Sequence, residues 1–300
     1  MSPEKVAVEV EGHELNLSNL DKVLYPATGF TKGEMLDYYA RIAPVMLPHI
    51  KGRPLTVKRF PDGVTTKGFI EKNVPRHAPD WIRTAELPRK AAGRDTTNFA
   101  VVDGVAGLIW FANMAAVEFH TPMWRVDAKR QPKRPDLVVF DLDPGAPASI
   151  VECCEVAGFV RERLEADGIE LFPKTSGSKG LQLYGSIAGR RWGGDEVNEY
   201  AHGVATDLEG EHPDAVVSRM TKSLRPGKVL IDWSQNNPGK TTVSPYSMRA
   251  VERPSASTPV TWDEVAASAD TGDPERLRFG PGDVLARVEK DGDLFAPLLA

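Results

Sequence analysis

The first clear period along the chain is helical. Thr31 and Glu34 form a T-x-x-E capping box, and the apolar spacing in MLDYYARIAPVML predicts a helix from Thr31 towards His49. A strand, PLTVKRF, follows, then a loop-rich stretch from about Pro61 to Arg94. Next come a strand in FAVVDG and a mostly buried helix over GLIWFANMAAVEFH. The second half has a more regular rhythm. DLVVFDLD predicts a strand whose continuous apolar run is buried on both faces, ended by DPG. Ser149 and Glu152 make a second capping box, opening a helix with apolar positions Ile150, Cys154, Ala157 and Leu164. Strand ELFPKT, turn SGSKG and strand LQLYGS come next, then an acidic helix over about Asp195 to Glu209. VVSRM, the loop TKSLRPGK and strands VLIDWSQ and TTVSPYSMR complete the core pattern. The last stretch, about forty residues, is acidic, partly helical and expected on the outside. This alternation places the chain in the α/β class (mixed α+β) with mixed sheets. No G-x-G-x-x-G follows the first strands, which argues against a dinucleotide-binding Rossmann domain.

Composition narrows the class without naming a chemistry. At 300 residues and 41% hydrophobic content the chain can bury a large core, as one domain or two intimate halves. The two cysteines, Cys153 and Cys154, are adjacent, poor partners for a disulfide and no zinc set. A reducing cytoplasm is therefore expected. The N-terminus carries charges where a signal peptide would be apolar, and the uncharged run Gly104 to Val117 is too short to span a bilayer.

The net charge of −5 hides its distribution. Between Asp195 and Asp214 there are seven acidic residues and no Lys or Arg. From Arg219 to Arg249 there are six basic residues and one acid, Asp232. A second basic cluster, Arg125, Lys129, Arg130, Lys133 and Arg134, precedes FDLD. One such cluster alone reads as a solvated loop. Two of them flanking candidate metal ligands read as a phosphate-binding trough with an acidic back.

FDLDPG sets Asp141 and Asp143 two apart at a strand end, so both carboxylates share a face while Leu142 points into the core. Carboxylates so placed repel each other unless a cation sits between them, and hard ions such as Mg²⁺ and Mn²⁺ want that oxygen cage. A third carboxylate is expected from a neighbouring strand. Asp232 is the candidate, because an aspartate within VLIDWSQ needs a reason to be there. D-x-D by itself also occurs in turns, calcium loops and sugar-nucleotide transferases. SGSKG, Ser176 to Gly180, either cradles a triphosphate with backbone amides, hydroxyls and Lys179, or is a plain hairpin turn. His120 either meets a phosphate or satisfies a core hydrogen bond, and Phe69 either stacks on a base or packs inside. Gly239-Lys240-Thr241 is not a P-loop, since the required earlier glycine falls on Ser234 and no helix follows.

Taken in order, LDKVLYPATGFTK, GFIEK, EFHTP, VFDLDPG, TSGSKGLQLY, TKSLRPGKVLIDWSQN and SPYSMR resemble the polymerase domain of bacterial LigD, within the archaeo-eukaryotic primase superfamily. The resemblance runs from about Leu20 to the C-terminus. It implies a primase-polymerase core of two mixed β-sheets flanked by helices, with an N-terminal 5′-phosphate-binding part over about 1–120 and a catalytic part over about 121–300. It implies that Asp141, Asp143 and Asp232 hold two divalent ions, Mn²⁺ or Mg²⁺. His120, Ser176, Lys179, Gln235 and Arg249 match positions around the incoming nucleotide. Lys22 and Lys32 match lysines that hold the 5′-phosphate beyond a gap, Phe69 an aromatic that stacks on the template, and Arg225 a loop near the primer. Ile70 stands where close relatives have a second Phe.

The resemblance further implies NTP or dNTP substrates, gapped or broken DNA, and work beside Ku and an ATP-dependent ligase at the bacterial nucleoid, with no membrane role. No lysine-nucleophile ligase motif and no histidine-rich nuclease segment occurs in the chain, so end joining and excision repair both stay open. Two other functions compete with a gap-filling polymerase. One is a non-catalytic module that grips 5′-phosphate ends and recruits a ligase, although three retained carboxylates speak against it. The other is a sugar-nucleotide transferase, which leaves the basic loops unexplained.

Overall fold

The computed structural model describes residues 5–88 and 96–299. Among these residues there are six α-helices, α1 Lys32–Ile50, α2 Val105–Asn113, α3 Ile150–Ala166, α4 Gly194–Glu211, α5 Trp262–Thr271 and α6 Pro281–Asp291. None is long and apolar enough to cross a membrane. Both expected capping boxes are formed, at Thr31/Glu34 and Ser149/Glu152, and each satisfies backbone donors that the first helical turn leaves open.

Two sheets stand at the centre. The first is antiparallel and runs, in spatial order, Thr242–Val243, Ala116–Thr121, Pro54–Arg59, Thr96–Val101, Thr84–Pro88, with Phe69–Glu71 also on Pro54–Arg59. Chain from both sides of residue 120 builds it. The second runs Leu171–Thr175, Leu181–Ser186, Leu137–Pro144, Val229–Asp232, Val216–Val217, mixed because its last pair is parallel. Helices α1 and α2 cover the first sheet over a core that includes Tyr39, Ile42, Met46, Leu108 and Phe119. Helices α3, α4 and α5 cover the second over Val138, Phe140, Leu142, Val160 and Leu208.

Leu137–Pro144 is buried on both sides, as its unbroken apolar run requires. Val138, Phe140 and Leu142 face the helices, while Leu137 and Val139 face a smaller cluster with Met123, Tyr184, Phe295 and Leu298. Tyr184 donates to or accepts from Thr242 at 2.7 Å, joining the two sheets. Asp141 and Asp143 continue the Leu137/Val139 face, so they open into the space between the sheets.

Several elements differ from expectation. The helix expected over GLIWFANMAAVEFH stops at Asn113; Ala115 takes a positive φ of 58° and Ala116–Thr121 is an internal strand. The alternation Val117, Glu118, Phe119, His120 is the period-two signal that a continuous apolar reading obscures. The loop-rich stretch from Pro61 contains the strands Phe69–Glu71 and Thr84–Pro88, and its part from 89 to 94 lies outside the described residues. VLIDWSQ is a strand only to Asp232, whose carboxylate accepts from Ser234 N at 3.1 Å and starts a 3₁₀ turn over Trp233–Asn236. TTVSPYSMR is two short strands, Thr242–Val243 and Met248–Arg249, split by a turn in which Tyr246 has φ 66°. The C-terminal segment does lie outside, but it also supplies Val265, Leu277, Val284, Phe295 and Leu298 to the cores.

Candidate active site

Strand register assembles the acidic centre. Asp141 lies directly opposite Asp232 on one neighbouring strand and opposite Gln182 on the other. Ligand oxygens of Asp141, Asp143 and Asp232 all fall within 4.8 Å of one another. Burial and the Asp143 charge push the Asp141 carboxyl up to about 7. Asp143 is also raised, by burial and Asp232, with Arg225 and Arg249 opposing. Carboxyls held near enough to lift each other's pKa form an oxygen cage that fits a hard divalent cation.

Two of the three carboxylates, Asp141 and Asp232, are held from behind. Gln182 Nε2 donates to Asp141 Oδ1 at 2.9 Å. The Ser234 amide and hydroxyl donate to Asp232 Oδ1, and Gln235 Nε2 to Asp232 Oδ2 at 2.8 Å. Asn236 is buried and exchanges two hydrogen bonds with the Val139 backbone, at 2.7 and 2.9 Å, locking the 3₁₀ turn to the strand of Asp141.

The SGSKG turn is held as tightly. Ser176 Oγ accepts from Ser178 N and Gly180 N, and Gly177 takes φ 68°. A Cβ on Gly180 would sit 2.0 Å from Leu142 O, so only glycine lets the turn lie against the strand that carries Asp141 and Asp143. Ser176 is buried, and its carbonyl accepts from Arg249 Nη1 at 2.7 Å. Lys179 is exposed and faces a cleft of about 640 Å³ shared with Ser149, Arg253 and Phe279.

A residue not singled out in the sequence joins the remaining groups. Glu118 is buried on Ala116–Thr121 and accepts from Ala250 N at 3.0 Å. His120 Nε2 lies 2.9 Å from its Oε2, with Arg249 at 3.5 Å and Lys58 at 3.9 Å from Oε1. Burial pushes the Glu118 carboxyl up, but the His120 hydrogen bond and the Arg249 charge outweigh it and hold it at about 2. Burial lowers His120, against the pull of Glu118. Arg249 thus links the groups, through Glu118 to His120 and through the Ser176 carbonyl to the SGSKG turn, and its charge also bears on Asp143. The Val117–His120 alternation was the available signal for Glu118.

Other expected residues gather elsewhere. The hairpin Val23–Tyr25/Phe30–Thr31 brings Lys22 and Lys32 together, with Lys32 N donating to Lys22 O at 2.8 Å. Lys32 is buried, its amine meeting Ser18 O and Asn113 Oδ1 among the described residues, and burial with the Lys22 charge lowers it to about 8. Lys22 reaches Asp62 at 3.2 Å. Phe69 is exposed on its short strand with Arg59 over its ring at 5.1 Å, and Ile70 beside it is 66% exposed. Arg225 donates to Met220 O, and its backbone presses on Gly145, where a Cβ would lie 2.0 Å from Arg225 O. The basic cluster before FDLD is partly internal structure, as Arg125 and Arg53 both bind Asp136 at 2.8 Å.

Two packed sheets, with three carboxylates on adjacent strands and a half-buried histidine and an arginine joined through Glu118, are the arrangement of the primase-polymerase class of nucleotidyltransferase. Residues 31–295 match the LigD primase-polymerase domain, and the chain belongs to that family. It is 44% identical over 95% of its length to the multifunctional non-homologous end joining protein LigD of Mycolicibacterium smegmatis. It is 28% identical over 93% of its length to the bifunctional non-homologous end joining protein LigD of Bacillus subtilis. It covers 36% of the first of these relatives and 43% of the second. A solved structure of the polymerase domain from Mycobacterium tuberculosis Ligase D in complex with DNA superposes with TM-score 0.88 at 43% identity, covering 95% of this chain and 98% of that one.

Proposed function

We propose that the chain is one polymerase unit that fills short gaps at DNA breaks by template-directed nucleotidyl transfer to a primer 3′-hydroxyl. The observation that carries this reading is the cross-strand cluster of Asp141, Asp143 and Asp232 within the LigD primase-polymerase fold. Two divalent ions bound there, Mn²⁺ or Mg²⁺, would supply activation of the 3′-hydroxyl and stabilisation of the leaving pyrophosphate. The chain's own residues do the positioning. His120 and Arg249, oriented by Glu118, face the triphosphate together with Ser176 and Lys179, and Gln235 fixes Asp232 while bordering the nucleotide. Lys22 and Lys32 take the downstream 5′-phosphate. A buried ammonium that meets only neutral acceptors gains most from such an anion. Phe69 stacks on the template base at the gap edge, and Arg225 lies by the primer. The partners expected from the relatives' role in end joining are Ku and a DNA ligase, with NTPs or dNTPs as substrates.

The test is primer extension on a short-gapped duplex, comparing a downstream 5′-phosphate with a 5′-hydroxyl, NTPs with dNTPs, and Mn²⁺ with Mg²⁺. Templated addition stimulated by the 5′-phosphate supports the reading, and Asp141→Ala with Asp143→Ala should abolish it while gapped DNA still binds. Extension retained in that double variant overturns the mechanism. Tight 5′-phosphate binding without incorporation under either ion would instead identify a ligase-recruiting end-binding module.

A further inference from the structure

Asp141 is one member of a longer row. Lys174 lies opposite Gln182, Gln182 opposite Asp141, and Asp141 opposite Asp232, so four polar side chains cross four adjacent strands in one register line. Directly opposed residues project to the same sheet face, so each can touch the next. Lys174 has no exposed surface. Its Nζ donates to Gln182 Oε1 and to Ser257 Oγ, both at 2.5 Å, and sits 5.3 Å from the Tyr184 ring. None of these partners is a carboxylate. Among the described residues, the acid whose charge bears on it is Asp141, beyond Gln182.

A buried lysine with neutral partners is costly, which calls for a role. The donor inventory supplies one. As an ammonium a lysine donates and cannot accept, and the contacts of Lys174 to Gln182 Oε1 and Ser257 Oγ are donor contacts, so it turns the Gln182 carbonyl oxygen inward. The Gln182 amide nitrogen is then compelled to face Asp141, where it occupies Oδ1 at 2.9 Å. Ser257 reinforces the arrangement, since its hydroxyl proton is spent on Thr175 O at 2.7 Å and its lone pairs are left for Lys174. Without Lys174 the Gln182 amide could flip and set oxygen against carboxylate.

We infer that Lys174 is a positioning residue for the metal centre, acting through Gln182 to fix the Asp141 carboxylate and direct its second oxygen towards Asp143 and Asp232. This rests on the reading that those carboxylates bind a divalent cation. Outer partners of this kind typically contribute about ten- to hundredfold to metal affinity.

The measurement is Mn²⁺ binding by the whole chain, followed by electron paramagnetic resonance, for wild type, Lys174→Met, Gln182→Met and the double variant, with urea unfolding in parallel. If wild type binds no Mn²⁺, the metal-site reading itself fails. If it binds, both single variants should bind at least about tenfold more weakly, and the double variant no worse than either. Unchanged affinity with lowered stability would reduce Lys174 to a structural lysine and overturn the inference. Tighter binding in Lys174→Met would overturn it too, because removing a mere repulsive charge strengthens cation binding. Gln182→Met keeps the lysine, so it tests the same link should Lys174→Met fail to fold.

Discussion

At the scale of single residues, the site stores unfavourable charge. Asp141 is raised from its ordinary 3.8 to about 7. Between those values the unfolded chain releases a proton that the folded chain keeps, so stability of the metal-free protein should fall as pH rises from about 4 to about 7. A bound divalent cation displaces that proton, so Mn²⁺ should flatten the slope. Thermal unfolding in EDTA and in Mn²⁺ across that range checks both, and parallel curves in the two conditions would contradict the reading. Glu118 acts in the opposite sense. Its depressed carboxyl stabilises the fold above its ordinary 4.5, and that contribution fades as pH falls towards 2. Glu118→Gln should lower stability by about 2 kcal/mol, the worth of hydrogen bonds to a charged group, and raise the nucleotide KM more than it lowers kcat. Urea titration and steady-state kinetics on one preparation separate the two effects.

At the scale of elements, close approach decides what can change. Gly180→Ala would drive a methyl against Leu142 O, within the strand that presents Asp141 and Asp143. A shift of about 1 Å there should cost about a hundredfold in extension rate. Gly189→Ala meets nothing within 4 Å and serves as the control, expected within about 0.5 kcal/mol of wild type. Equal activity in the two variants would show that the turn does not seat the catalytic strand. The sequence made much of this level legible, because capping boxes, the both-face apolar strand and the same-face aspartates are local patterns. The third carboxylate was also within reach, since an aspartate in an apolar strand must be explained. The same rule would have flagged Lys174 in LFPKT and Gln182 in LQLYGS, but register pairs them and register is not local. Asp232 in its apolar run reads as mid-strand although Asp is a favoured N-cap residue, and Ala116–Thr121 reads as helix because its flanking run is apolar in either conformation.

At the scale of the whole molecule, the net charge of −5 is an average that says little about DNA, and the proposed contacts rest on a few individual side chains. Phe69→Ala should weaken binding to gapped duplex by about 1–3 kcal/mol, the range for one stacked base. Lys22→Ala with Lys32→Met should erase the preference for a 5′-phosphate over a 5′-hydroxyl and flatten the salt dependence of binding. Titrating both substrates at two salt concentrations reads both, and an undiminished preference would move the phosphate site elsewhere.

The short strand Thr242–Val243 belongs by pairing to the first sheet, while the Thr242 hydroxyl meets Tyr184 of the second. A chain sewn across itself in this way ties the two sheets through one short strand. A protein cut near residue 120 would keep the Thr242–Tyr184 contact in its second piece, but the Ala116–Thr121 strand of the first would be left with the open edge that Thr242–Val243 covers.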